Sequence, residues 1–365
     1  MRIDSDINEI LHAGRGAYLR TMPPGAKTFL SAGCAGLWYF EWIERCYGKI
    51  PLHIGLEYYS PKPEKLPDNV RWIENTCSDM HGVDSASCDI VFSGQNLEHL
   101  WPNEIEGFML EVARVTRAGG HLVMDSPNRS VTELLRNWSH PEHIIEFTAK
   151  EAAELVRLAG FDVKSIRGIW LNRDSDGHVI PFNVNQPDWN DAERLILAYD
   201  RPEDSFIWWI EAQRVDRSPN LNAMRKLIAR VYSKAWPERK LRMCSNVGSA
   251  FFEGDEEWIA GPPLTNDALL FGPYMPLRAG RYRCTFEVSS RGNTQAYFDV
   301  IAGDQPIVIN SKVINLEAGK STISIDFELE KLHFGVQYRC LGRGGAGFSV
   351  RRRVEVEEFD VPAYP

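Results

Sequence analysis

Gly33 and Gly36 stand just after the apolar run Thr28-Phe29-Leu30, and Glu57 closes a second apolar run that begins at Leu52. Each residue type has a use at such a place. Glycine lets the backbone turn sharply and lets a bound molecule approach it closely. The amides that open a helix at Leu37 offer N–H donors to a polar ligand. A carboxylate at the tip of the neighbouring strand can accept both hydroxyls of a ribose. A Gly-x-x-Gly turn alone is common and says little. Strand, glycine turn, helix and acid in this order say more, because ligands of open α/β sheets bind outside the carboxyl ends of the strands.

A second group of residues suits proton transfer. Histidine is the side chain that titrates near neutral pH, and a base is needed when a hydroxyl must lose its proton during a displacement. Glu98 and His99 follow a fourth apolar run, Asp125 ends a fifth, and His140 and His143 lie beyond it. His143 is the candidate base, with His99 and His140 next; the plainer reading of His143 is a loop residue that packs or caps the helix opening at Thr148. Asp125 could orient an acceptor hydroxyl, help to bind a metal, or cap the turn Ser126-Pro127-Asn128. Nothing in the sequence favours a metal.

These residues need a frame, and the chain supplies one. Strand patterns at Thr28–Leu30, Leu52–Glu57, Val70–Ile73, Cys88–Phe92, His121–Asp125 and Phe161–Trp170 alternate with helix patterns at Leu37–Tyr47, Ile105–Val115 and Thr148–Ala159. Thr148 and Glu151 form a capping-box pair. This rhythm implies a mainly parallel sheet covered by helices on both faces. Residues 171–204 are polar and turn-rich and read as an insertion before a last strand, Ser205–Arg214. Its Arg173, Asp174, Asp176, His178, Asn183, Asn185, Asp188 and Trp189 suit a polyhydroxylated ligand, or simply a solvated loop. Leu221–Ala235 reads as a connecting helix stopped by Pro237. After about Met243 only alternating runs remain, the pattern of an antiparallel sandwich or jelly roll.

With these elements in place, the run Leu30-Ser31-Ala32-Gly33-Cys34-Ala35-Gly36 resembles motif I of class I methyltransferases, and Gly55-Leu56-Glu57 resembles their acidic second motif. Asn96-Leu97-Glu98-His99-Leu100, Arg117-Ala118-Gly119-Gly120-His121-Leu122 and Ala159-Gly160-Phe161 resemble later signatures of that family, in the right order over roughly residues 15–215. Ser139 to Thr148 resembles a stretch of small-molecule and sugar methyltransferases whose loop closes over the acceptor. The resemblance implies S-adenosyl-L-methionine as cofactor. It implies that Ala32, Gly33 and the turn through Gly36 hold the methionine part, with Gln95 nearby. It places Glu57 at the ribose and Ser78 and Asp79 against adenine, and it makes His99 a residue that orders the site. Two departures stand out. The family usually has an acid where Ser31 stands, which helps to hold the cofactor's amino group, a glycine where Ala35 stands and another near Leu37.

The segment Phe271 to Arg283 resembles β-sandwich modules attached to enzymes that build bacterial surface polysaccharides, which look like carbohydrate-binding domains. Tyr274, Tyr282, Tyr297 and Tyr338 could stack on sugars, although aromatic residues in strands are more often core. The 365 residues divide as 1–217 (methyltransferase, with the insertion), 218–242 (connector) and 243–365 (sandwich). A net charge of −9 argues against nucleic acid, and the Arg351-Arg352-Arg353 run reads as a solvated strand end. Seven scattered cysteines without a CxxC pair suggest reduced thiols in the cytoplasm. No apolar run spans a membrane, which leaves a peripheral place at the inner membrane and a homo-oligomer through the sandwich open. The expectation is therefore a Rossmann-like α/β domain followed by an all-β sandwich, an O-methyltransferase for a sugar or a surface polysaccharide such as O-antigen. The rivals are a methyltransferase for another metabolite or lipid, and a catalytically silent glycan-binding scaffold.

Overall fold

The alternation of strand and helix is present in a computed structural model of the chain, which describes residues 7–132, 143–180, 190–240, 243–265, 267–303, 307–331 and 333–359. Contacts divide the chain into two units: Met1–Arg136 with Ile145–Tyr232, and Asn137–Ile144 with Ser233–Pro365.

The first unit runs α1 (Ile7–Leu19), β1 (Thr28–Ala32), α2 (Leu37–Tyr47), β2 (Leu52–Glu57), β3 (Val70–Glu74), β4 (Cys88–Gly94), α3 (Pro102–Val115), β5 (Thr116–Pro127), the short α4 (Arg129–Thr132), α5 (Ala149–Leu158), β6 (Phe161–Leu171), α6 (Asp191–Ala198), β7 (Ser205–Arg214) and the part of α7 (Leu221–Lys240) up to Tyr232. Its seven strands lie in the order β3-β2-β1-β4-β5-β7-β6. Strands β1 to β5 are parallel, and β7 is antiparallel to both neighbours. This is a Rossmann-like α/β sheet. The register matters for function. Ala32 pairs with Leu56, Ser31 with Phe92, and Gly94 with Asp125. The glycine turn, Glu57, Gln95 and Asp125 therefore share one edge of the sheet, at the carboxyl ends of the strands.

Helices hold their places through buried faces. Helix α2 buries Tyr39, Phe40, Trp42 and Ile43. Helix α5 begins with the expected capping box, in which Thr148 Oγ1 accepts from Glu151 N at 3.3 Å and Thr148 N donates to Glu151 Oε2 at 3.0 Å. In β7 both Trp208 and Trp209 are fully buried.

Several elements depart from the sequence reading. The 171–204 segment contains helix α6, capped by Asn190 Oδ1 accepting from Glu193 N at 2.9 Å. Helix α7 runs through Pro237 to Lys240, so the proline does not stop it. A proline removes one i→i−4 bond, and a helix can lose that bond so near its end. Met224, Leu227, Ile228 and Val231 of α7 belong to the core of the first unit, which makes this half of the helix more than a connector.

The second unit is an antiparallel sandwich. One sheet contains β10 (Pro273–Leu277), β15 (His333–Gly345), β12 (Thr294–Ala302) and β13 (Ile307–Leu316), in that order. The other contains β14 (Gly319–Leu329), β11 (Gly280–Ser290), β16 (Phe348–Arg351), β9 (Glu256–Ala260) and β8 (Ser249–Glu253), with β17 (Glu355–Phe359) also paired to β11. Alternate residues of β11 point inward, and Phe286 of β11 meets Phe298 of β12 at 5.2 Å between ring centres. The alternating pattern after Met243 forms the ten strands β8 to β17 among the described residues. Tyr282 and Tyr338 are buried in the core, so neither can stack on a sugar. Arg351 pairs with Glu256 and Glu287, and Arg352 with Glu257, which neutralises most of the basic run.

Candidate active site

The glycine turn needs its unusual residues. Gly33, Ala35 and Gly36 have φ of 76°, 46° and 128°. Gly33 N donates to Leu56 O at 3.0 Å, and a Cβ at Gly33 would lie 3.0 Å from Asn96 Oδ1. Ala35 tolerates a left-handed conformation that a glycine would adopt without cost. Gly36 gives α2 no side-chain cap. The helix therefore opens on backbone amides at the carboxyl end of the sheet.

Glu57 joins this turn to the loop after β2. Its Oε1 accepts from Tyr58 N, Tyr59 N and Ser60 N at 3.1, 2.9 and 3.0 Å. Its Oε2 accepts from Ala35 N at 2.9 Å. A carboxylate has about four acceptor positions, two on each oxygen. Oε1 already accepts three bonds, whereas Oε2 accepts one and keeps room for a ribose hydroxyl. The backbone of Glu57 also accepts from Asn75 N at 3.1 Å, which draws the loop after β3 to the same edge. In that loop Cys77 Sγ lies 3.8 Å from Asn96 Oδ1. Ser78 Oγ is 3.1 Å from Thr76 Oγ1. The exposed Asp79 carboxylate accepts from His81 N at 3.1 Å, and hydrogen bonding to His81 lowers its pKa.

Ser31 points away from the role an acid would fill. Its hydroxyl is buried 2.8 Å from His53 Nε2, on the neighbouring strand. Burial pushes the His53 pKa down to about 3, so the ring is neutral.

At the end of β4, Gln95 has φ 54° and donates Nε2 to Asp125 Oδ1 at 2.6 Å. Asp125 Oδ2 accepts from Arg15 Nε at 3.0 Å, with both side chains buried. Asp125 is therefore engaged inside the protein and does not lie open to orient an acceptor or bind a metal. Arg15, from α1, was not read as a site residue. Its only signal was a lone cation in a segment whose Gly14 and Gly16 obscure the helix.

Glu98 is also buried, with Ser126 Oγ donating to Oε2 at 2.9 Å. Loss of hydration, with the negative charges of Asp125 and Glu146 adding to it, pushes its pKa up to about 8. His99 Nε2 lies 4.0 Å from Glu98 Oε1 and keeps about a third of its side chain exposed. His143 is 6% exposed. It stands two residues before Ile145, whose N–H donates to Glu98 O at 3.3 Å. His140 and residues 183, 185, 188 and 189 of the insertion lie outside the described residues. Arg173 and Asp174 to His178 form a closed turn in which Asp174 Oδ1 accepts from Asp176 N and His178 N, each at 2.9 Å.

Residues 30–124 match a family described as "Methyltransferase domain". A protein of Mycolicibacterium smegmatis named "Probable S-adenosylmethionine-dependent methyltransferase" is 37% identical over 151 residues, which are 38% of this chain and 58% of that protein. The chain thus spans little more than half the length of this relative. A putative methyltransferase solved in complex with the Trm112 activator of Haloferax volcanii is 19% identical, covering 57% of this chain and 91% of its own, with a TM-score of 0.42. An S-adenosylmethionine-dependent methyltransferase of Archaeoglobus fulgidus is 17% identical, covering 56% and 94%, also with a TM-score of 0.42. These two scores add nothing to what the strand order shows by itself. Residues 30–124 thus carry a methyltransferase domain, and S-adenosylmethionine is the cofactor of such a domain.

Proposed function

We propose that the whole chain transfers a methyl group from S-adenosylmethionine to a hydroxyl of a sugar, either free or within a surface polysaccharide. The observation that carries the reading is the junction of the glycine turn with Glu57, where one carboxylate ties together the two loops that border the carboxyl ends of β1 and β2. The residues fit the cofactor. A backbone cradle without side chains lies at Gly33 and Gly36, and one acceptor position on Glu57 Oε2 is left for a ribose hydroxyl. When bound, the cofactor supplies an electrophilic methyl on a sulfonium centre. The protein's own work is to align the acceptor, which accounts for much of the rate in such a displacement, and to take its proton. We assign the base to His143, whose burial suits a base shielded from water, and an ordering role to His99.

The sugar acceptor is supported by the likeness of residues 139–148 to sugar methyltransferases and of residues 271–283 to polysaccharide-linked sandwich modules. In this reading the second unit holds the glycan, and the protein works in the cytoplasm, with no helix among the described residues long and apolar enough to cross a membrane. The test is transfer of a labelled methyl group to a glycan panel. Label on a sugar oxygen supports the reading. Label on a lipid or another small metabolite alone would replace it, and binding of glycan without cofactor would favour a silent scaffold.

A further inference from the structure

Gln95 stands where the backbone favours glycine. Its φ of 54° is in the left-handed region, which residues with long side chains seldom adopt. Strain of this kind persists only where surrounding bonds over-determine it, and it gathers at functional sites. Here two bonds to a single residue do so: Gln95 N donates to Asp125 O at 2.9 Å, and Gln95 Nε2 donates to Asp125 Oδ1 at 2.6 Å. The side chain is thus kept despite the backbone's preference.

The amide has only one permissible orientation. Arg15 and Asp125 are buried together at 3.0 Å. An arginine keeps its proton, and a buried cation requires a counter-charge. Burial raises the Asp125 pKa, but the Arg15 charge opposes this and holds Asp125 as a carboxylate, which can only accept. Gln95 must turn its NH₂ inward, which leaves Oε1 as an acceptor. Oε1 accepts no hydrogen bond among the described residues, and Gln95 is only partly buried. Gln95 follows β4 at the carboxyl edge of the sheet, where position 31 offers no acceptor because the Ser31 hydroxyl is buried against His53.

We propose that Gln95 Oε1 accepts from the α-ammonium group of the cofactor's methionine part, and that Arg15 and Asp125 are positioning residues that lock the Gln95 amide for this purpose. The inference rests on the cofactor reading above. The Arg15–Asp125 pair is neutral as a whole, so it fixes the amide without repelling the ammonium group. Donation from Nε2 to a carboxylate also polarises the amide and strengthens Oε1 as an acceptor.

The test compares S-adenosylhomocysteine with its analogue carrying hydrogen in place of the α-amino group, each titrated calorimetrically into the full-length protein. The wild type should prefer S-adenosylhomocysteine by about 10- to 100-fold, the value of a charge-assisted hydrogen bond. Gln95→Met should erase this preference while leaving the affinity for the analogue unchanged. Gln95→Gly should do the same, and because glycine suits φ 54° it should fold at least as well as the wild type. Asp125→Asn and Arg15→Gln should reduce the preference, since either frees the amide to flip. A preference that survives Gln95→Gly, or a loss of both ligands alike in a folded variant, would overturn the proposal. A wild type that binds neither ligand would sink the cofactor reading with it, whereas binding with an unaltered preference sinks this inference alone.

Discussion

Ser31 Oγ and His53 Nε2 are 2.8 Å apart, buried between the adjacent parallel strands β1 and β2. The bond settles what the departure at position 31 means physically. The serine is part of the sheet's interior packing and is not a weakened version of a ligand-binding acid. Among the described residues His53 Nδ1 has no hydrogen-bond partner, so Ser31 supplies the ring's one hydrogen bond there. Ser31→Ala should lower stability by about 1–3 kcal/mol, the cost of an unsatisfied buried polar group. Denaturant unfolding followed through the first unit's tryptophans measures this. Affinity for S-adenosylhomocysteine should hardly change. A large loss of affinity at unchanged stability would mean that Ser31 touches the cofactor.

The Glu98 carboxyl gives a pH dependence with a definite sign. Its folded pKa is raised to about 8 from an ordinary 4.5, so the native state holds a proton that the unfolded state releases. The stabilisation linked to that proton is complete below about 4.5 and is lost as the pH rises through about 8. Glu98→Gln, which mimics the protonated form, should flatten this fall. The midpoint of thermal unfolding measured across that range tests it. Parallel slopes in wild type and variant would show that Glu98 is ionised in the folded protein.

His143→Ala should lower turnover by about 10²–10⁴-fold, the usual worth of a general base. Cofactor affinity should remain near the wild-type value, because the residues assigned to the cofactor are elsewhere. Wild-type turnover in the variant would move the base to His99, the more exposed of the two histidines.

The legible parts of the fold were those with clean periodicity and clear punctuation. Leu37–Tyr47 and Leu52–Glu57 match their helix and strand residue for residue, and the Thr148–Glu151 capping box is present. Helix α1 was hidden because Gly14 and Gly16 lie inside it, and glycine in a helix interior is unfavourable. Tertiary packing explains them: a Cβ at Gly14 would come within 2.7 Å of Ile169 Cγ2, and one at Gly16 within 2.8 Å of Cys46 Sγ. Missing α1 also meant missing Arg15. In the site, residue types were legible and their directions were not. Asp125 looked like an open carboxylate and is a buried partner of Arg15, while Glu57 spends most of its acceptor positions on backbone amides. Neither fact follows from spacing along the chain.

The division of the chain can be tested by truncation. We propose that the two units fold separately. A fragment ending near Lys240 should bind the cofactor, whereas one ending near Arg217 should be much less stable. It would lose Met224, Leu227, Ile228 and Val231 from the core, and each buried apolar side chain contributes about 1.5–3 kcal/mol. Circular dichroism and thermal unfolding of both fragments decide the point. Equal stability would mean that α7 contributes little to the first unit. If the second unit holds the glycan, the longer fragment should methylate a long glycan poorly and a small sugar well.

Calorimetric titration of the whole chain with S-adenosylhomocysteine decides whether the glycine turn and Glu57 form a working cofactor site. One site per chain is expected. Glu57→Ala should weaken binding by about 1–3 kcal/mol, the loss of a charge-assisted hydrogen bond and of the loop it gathers. A folded wild-type protein that shows no binding of S-adenosylhomocysteine or S-adenosylmethionine would mean that the glycine turn and Glu57 hold no cofactor.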